Sequence, residues 1–254
     1  MLDIRQIPVL NDNYIYLVHE PESGCVAIVD PAVSDPVLAE AARLGWKITH
    51  IFNTHHHGDH TGGNLAIQRA TGCAIVGARA DAARIPGIGT QLSDGDSYEF
   101  GAERAKVFDV PGHTSGHIAF WFEASNALFC GDTLFALGCG RVFEGTPAEM
   151  WNSLKKLRAL PDETRVYCAH EYTQANAAFA LTVETDNADL KRRAAAIAAA
   201  RADNRPTVPS LLKEEKRTNP FLRADDPGLA ANLGLANASA EEVFAEVRHR
   251  KDVF

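Results

Sequence analysis

Along the first thirty residues, apolar and polar positions alternate in short runs broken by polar turns. Residues 4–9, 14–19 and 25–29 each read as a strand, separated first by Asn11, Asp12 and Asn13 and then by Pro21, Glu22, Ser23 and Gly24. Such a meander opens an antiparallel sheet. Asp30 and Pro31 end the third strand, and Ser34 or Asp35 is placed to cap a helix to residue 44 with Leu38, Ala41 and Ala42 on one face. The apolar run 48–52 reads as a buried strand. Gly62 and Gly63 lead into a helix at 65–70 and a strand at 74–76, whereas 81–96, rich in glycine and aspartate, reads as loop.

The pattern then repeats. Strands are expected at 105–110, 117–123 and 127–130, with a hairpin at Asn126, an amphipathic helix at 147–160 and a strand at 165–168. Past Tyr172 strands give way to helical patterns at 173–184, 188–203 and 239–251, the last opening on a capping box of Ser239 and Glu242. The link 205–209, with Pro206 and Pro209, reads as extended and rigid. Strand runs twice followed by helix predict an α/β protein with two packed sheets and helices outside them, followed by a helical domain. The expected domains are 1–171 and 172–254.

Composition narrows the function. The chain has 254 residues, 46% hydrophobic and 23% charged, which is ample for a core. A net charge of −8 lacks the basic footprint of a general nucleic-acid binder, so no nucleic-acid partner is expected. No apolar run reaches membrane-spanning length, and Met1, Leu2, Asp3, Ile4 and Arg5 do not read as a secretory signal. A cytoplasmic monomer with no membrane partner is the expectation. Five cysteines, Cys25, Cys73, Cys130, Cys139 and Cys168, are odd in number and lack paired spacing, which suits reduced thiols.

The chemistry concentrates in Thr54, His55, His56, His57, Gly58, Asp59 and His60, which crowd four imidazoles and a carboxylate into six residues. These are ligand types for zinc, manganese or iron. In an extended segment His55 and His57 point one way and His56 the other. Asp59 and His60 are adjacent, so the chain has to turn after His57, and Gly58 is expected to permit an otherwise strained backbone there.

Three later strand ends add His113, Asp132 and His170. Function carried on loops over a rigid sheet is the expected arrangement. Two ions divide the ligands naturally: His55, His57 and His113 for the first, Asp59, His60 and His170 for the second, with Asp132 bridging because a carboxylate has two oxygens. Cys168 competes with His170 as a metal-competent group. His56 and His117 are left as structural histidines, His117 being suited to orient a carboxylate or a ligand loop. A water acidified by two ions is a potent nucleophile near neutral pH, which suits hydrolysis. Asp59 and Asp132 are the expected catalytic carboxylates, with Asp59 orienting the attacking water.

These motifs carry a resemblance. Residues 54–60, His113 in Gly-His-Thr-Ser-Gly-His, Asp132 in Gly-Asp-Thr-Leu-Phe and His170 in Ala-His-Glu-Tyr-Thr resemble the metallo-β-lactamase superfamily. Gly138-Cys139-Gly140-Arg141, Thr207-Val208-Pro209-Ser210, Asn219-Pro220-Phe221 and residues 248–252 extend the likeness to the type II glyoxalases, over essentially the whole chain. The resemblance implies an αββα sandwich of two mixed sheets between helices with a helical C-terminal domain. It also implies a centre of two divalent metal ions and hydrolysis of a small-molecule glutathione thioester, S-D-lactoylglutathione, to glutathione and D-lactate. The positions matching the family's glutathione contacts are Arg141, Phe143, Tyr172, Arg248 and Lys251; the family often has lysine at the first and tyrosine at the second, so a hydroxyl contact is lost here. Arg250, on the same last helix, suits either the cationic pocket or the helix dipole. The rival activities on such a scaffold are a single-iron persulfide dioxygenase and a lactone or β-lactam hydrolase.

Overall fold

The computed structural model describes residues 1–254. By its internal contacts the chain forms two compact units, one of residues 1–109 and 115–131, the other of residues 110–114 and 132–254.

In the first unit, β1 (Asp3–Val9), β2 (Asn13–His19) and β3 (Val26–Val29) form the antiparallel meander. After α1 (Asp35–Leu44) the sheet continues in parallel through β4 (His50–Phe52), then α2 (Gly58–Thr61), α3 (Asn64–Thr71), β5 (Ala74–Ala78) and β6 (Thr90–Leu92). A second, antiparallel set follows: β7 (Ser97–Phe100), β8 (Glu103–Asp109), β9 (Ile118–Phe122) and β10 (Ala127–Gly131). One face of the first sheet takes Ile15, Leu17 and Ile28, packed with Val37 and Ala41 of α1 and Ile67 of α3. The other face meets the second set of strands through aromatic rings, Phe52 lying 5.1 Å from Phe120 and 5.5 Å from Phe100, and Tyr16 5.6 Å from Phe129. With both faces covered, β3 is buried at every position, which is why it reads as a continuous apolar run.

In the second unit a short hairpin, β11 (Leu134–Phe135) and β12 (Gly138–Cys139), precedes α4 (Pro147–Arg158) and β13 (Arg165–Cys168). Next come α5 (Thr173–Val183), α6 (Ala188–Ala202), β14 (Ser210–Leu211), α7 (Leu212–Thr218), α8 (Pro227–Asn232) and α9 (Ala240–Asp252). Helices α5 and α6 share a core of Ala177, Ala180, Leu190 and Ile197 beneath Leu137. Trp151 of α4 stacks on Phe244 of α9, and Phe221 lies 6.0 Å from both Phe244 and Phe179. The capping box of α9 is present, Ser239 Oγ accepting from Glu242 N–H while Glu242 Oε2 accepts from Ser239 N–H. The extended link 205–209 is tied down by Glu171, which accepts from Thr207 N at 2.8 Å and from its hydroxyl. No helix is long and apolar enough to cross a membrane.

Several expectations need correction. Residues 81–96 are not all loop: β6 lies within them, and β7 follows at once. The first has only three residues and the second alternates polar side chains, so neither gives a hydrophobic signal. Strands do not end at Tyr172, because the two-residue β14 pairs antiparallel with β13. The largely charged helix α7 and the six-residue α8 escape a reading based on apolar periodicity. Ser34 is the N-cap of α1, but its hydroxyl donates to Asp35 rather than capping.

Candidate metal centre

In the first unit β4 ends at Phe52 and delivers Thr54 and the histidines. Asp30, at the end of β3, anchors them: its two oxygens accept from Thr54 N at 2.8 Å and from the Thr54 hydroxyl at 2.7 Å. Since that hydroxyl proton goes to Asp30, Thr54 Oγ1 accepts from His55 Nδ1 at 3.1 Å. This fixes the tautomer and turns His55 Nε2, a bare lone pair, toward His57 Nδ1, 3.1 Å away. His60 is fully buried with Nδ1 3.1 Å from Asp30 Oδ2, and its ring centroid lies 4.0 Å from that of His55. Asp59 Oδ2 is 3.6 Å from His60 Nε2 and accepts from Asn13 Nδ2 at 3.0 Å.

Two other histidines face elsewhere. His56 turns its Nδ1 to Asp81, 3.0 Å away. His117 stacks on His55 at 4.5 Å between centroids, with its Nδ1 donating to the Ile118 carbonyl. The turn after His57 is made differently from the expectation. His57 is the N-cap of α2, which starts at Gly58, and Gly58 lies outside the left-handed region with open space where a Cβ would stand. A helical turn, not glycine's freedom, redirects the chain.

In the second unit His113 Nδ1 donates to the Arg141 carbonyl at 2.9 Å, which leaves Nε2 as the acceptor nitrogen, 3.4 Å from Asp132 Oδ2. His170 Nε2 lies 3.4 Å from the other oxygen, Oδ1. Asp132 thus offers one oxygen toward each histidine. Gly140 is obligatory beside it, since a Cβ there would come within 2.0 Å of the Asp132 carbonyl. Cys168 directs its Sγ–H to the His170 carbonyl rather than toward Asp132. These imidazoles and carboxylates are donor types that suit divalent cations.

The residues expected to meet substrate lie in the second unit. Tyr172 stacks on His170 with centroids 4.8 Å apart and planes 2° from parallel, and Phe135 meets it edge-on. Phe143, 62% exposed, lies 5.2 Å from His113. Arg141 is exposed, 3.9 Å from Asp252. Arg248 is only 6% exposed; it donates to the Cys139 carbonyl at 3.0 Å, pairs with Asp252 and lies over the Phe221 ring. Lys251 donates to the Ala175 carbonyl and sits over Phe179 and Phe254; burial lowers its pKa, and the charges of Arg248 and Arg141 lower it further. Arg141, Arg248 and Lys251 thus gather around Asp252, whose charge opposes the lowering at Lys251, as a cationic cluster with one embedded carboxylate. Arg250 stands apart, paired with Glu246 and the Leu233 carbonyl.

Three residues that support these side chains are not apparent as site residues in the sequence. Asp30 reads only as a strand end and Asn13 only as a turn. Asn219 stitches the β11–β12 hairpin by donating to the Phe135 and Gly138 carbonyls. A polar residue wholly buried, as Asn219 is, becomes visible only once burial is known.

Comparison with known proteins is consistent from end to end. Residues 9–170 match the model of the metallo-beta-lactamase superfamily, and residues 171–254 match that of the hydroxyacylglutathione hydrolase C-terminus. The chain is 60% identical over 254 residues to a hydroxyacylglutathione hydrolase of Methylococcus capsulatus, covering 100% of this chain and 99% of that protein. It is 56% identical over 251 residues to one of Maricaulis maris, covering 99% and 98%. Among solved structures it is similar to ETHE1 from Myxococcus xanthus, with a TM-score of 0.69 at 26% identity over 96% of this chain and 89% of that one. The expected α/β fold with two sheets and a helical C-terminal region is therefore the one this chain has. The chain belongs to the metallo-β-lactamase superfamily and, within it, to the hydroxyacylglutathione hydrolases, a family of metal-dependent hydrolases.

Proposed function

We propose that the chain hydrolyses S-D-lactoylglutathione to glutathione and D-lactate, and that residues 172–254 form its substrate-binding domain. The observation that carries this reading is the likeness to hydroxyacylglutathione hydrolases over the full length, helical region included. The cationic cluster of Arg141, Arg248 and Lys251 adds a chemical reason, since glutathione carries two carboxylates and this chain has a net charge of −8.

In this reading His55, His57 and His113 would hold one divalent ion and Asp59, His60 and His170 a second, with the two oxygens of Asp132 available to both. Zinc, iron and manganese all suit the donor set. When bound, the ions supply a water with its pKa lowered to about 7 and positive charge where the carbonyl oxygen becomes negative. The chain's own groups do the rest. Asp59 accepts a hydrogen bond from the attacking water and fixes its direction. Asp30, through Thr54 to His55, and the Arg141 carbonyl, at His113, hold these two imidazoles in the tautomer that turns Nε2 to a ligand. Tyr172 and Lys251 hold the glutathione portion, and a thiolate departs without a proton donor because its pKa is about 8.5. Five cysteines outside any disulfide suit a reducing compartment, so the reading includes a cytoplasmic site of action.

The test is a rate comparison on the metal-loaded protein with S-D-lactoylglutathione, a lactam, a lactone and glutathione persulfide. The thioester is expected to be turned over in preference to the other three. Preferential consumption of the persulfide with oxygen uptake, or of the lactam or lactone, would overturn the assignment.

A further inference from the structure

Asp59 occupies an exacting position on weak footing. It lies on α2, a helix of four residues, and its side chain is 40% exposed. A half-exposed carboxylate on a single helical turn takes its direction from its hydrogen bonds more than from packing.

Asn13 provides such a bond from a firmer base. Its Nδ2 donates to Asp59 Oδ2 at 3.0 Å and lies 3.4 Å from the Asp59 main-chain carbonyl. Both partners are acceptors, so only the NH2 end of the amide fits, and one group grips both side chain and backbone of the same residue. Asn13 is itself 7% exposed and is the first residue of β2, paired with Val9 across the hairpin. Groups mounted on strands hold geometry more closely than groups on loops. The oxygen it grips is the one 3.6 Å from His60 Nε2, so the amide sets the spacing between two neighbouring side chains of the ligand set.

The geometry points to Asn13 as a positioning residue for the ion assigned to Asp59 and His60. It acts through Asp59, does not touch substrate, and sets the affinity of that ion and the aim of the attacking water. This rests on the binuclear reading above.

The experiment is a zinc titration of metal-free protein against a chromophoric chelator, on the wild type and on Asn13→Leu, which keeps the size and removes the donor. Asn13→Ser, which leaves a short hydroxyl, serves as a second variant should the first fail to fold. In Asn13→Leu one of the two zinc equivalents is expected to weaken by about 10- to 100-fold, the range for partners of a ligating group, while the other is unchanged. Asn13→Ser falls between. At saturating zinc kcat drops and KM stays the same. If the wild type holds two equivalents and both variants hold them equally tightly, this proposal alone fails. If the wild type holds only one, the binuclear reading fails and this proposal with it.

Discussion

Gly58 and Gly62 bracket the short helix that carries Asp59 and His60, and they place different demands on the chain. A Cβ on Gly58 would meet nothing within 4 Å, whereas one on Gly62 would come within 2.5 Å of the Ala32 carbonyl and 2.8 Å of the Gly58 carbonyl. Replacing Gly58 by Ala should therefore leave the fold intact and add up to about 1 kcal/mol from helix propensity. Gly62→Ala, which must push backbone aside, should cost about 1–3 kcal/mol. Urea unfolding of the metal-free variants measures both; a large loss at Gly58 would restore the strained-turn reading. The spacing of His55, His57 and His60 was legible because ligand types and two-residue periodicity are local properties. Asp30 and Asn13 were not, because each acts across the fold, over 24 and 46 residues, through bonds that leave no trace in local pattern.

At the scale of elements, α9 divides labour among its basic residues by helical phase. Arg248 is buried among Phe221, Cys139 and Asp252, so it supports the β11–β12 hairpin as well as the cationic cluster. Lys251, three residues on and more open, is the better candidate for a direct contact with a carboxylate. Lys251→Ala should raise KM for the glutathione thioester with kcat unchanged, while Arg248→Ala should raise KM and lower stability together. Because burial and then the neighbouring arginines lower the Lys251 pKa, its charge is lost earlier on the alkaline side than that of an ordinary lysine. The wild-type KM should accordingly climb with rising pH, and Lys251→Ala should lack that limb. Steady-state kinetics across pH decides the matter; a KM that Lys251→Ala does not alter would remove it from the pocket. The capping box made α9 readable from sequence. The helix α7 was hidden by its charge, although its Glu215 is wholly buried and accepts from Leu137 N and Asn219 Nδ2.

For the molecule as a whole, the fold class was legible because long buried strands and amphipathic helices each impose a period on the sequence. Internal contacts also group residues 110–114 and 132–171 with the C-terminal helices, a grouping set by contacts rather than by order along the chain. Four of the proposed ligands, His55, His57, Asp59 and His60, lie in the first compact unit, and His113, Asp132 and His170 lie in the second. The proposed pair of ions makes a quantitative demand that a single ion does not. The decisive measurement adds zinc stepwise to the metal-free protein while following cleavage of S-D-lactoylglutathione and metal bound per chain. The rate is expected to stay low through the first equivalent and rise to its maximum as the second binds. Full activity at one equivalent, or cleavage without metal, would contradict the binuclear mechanism.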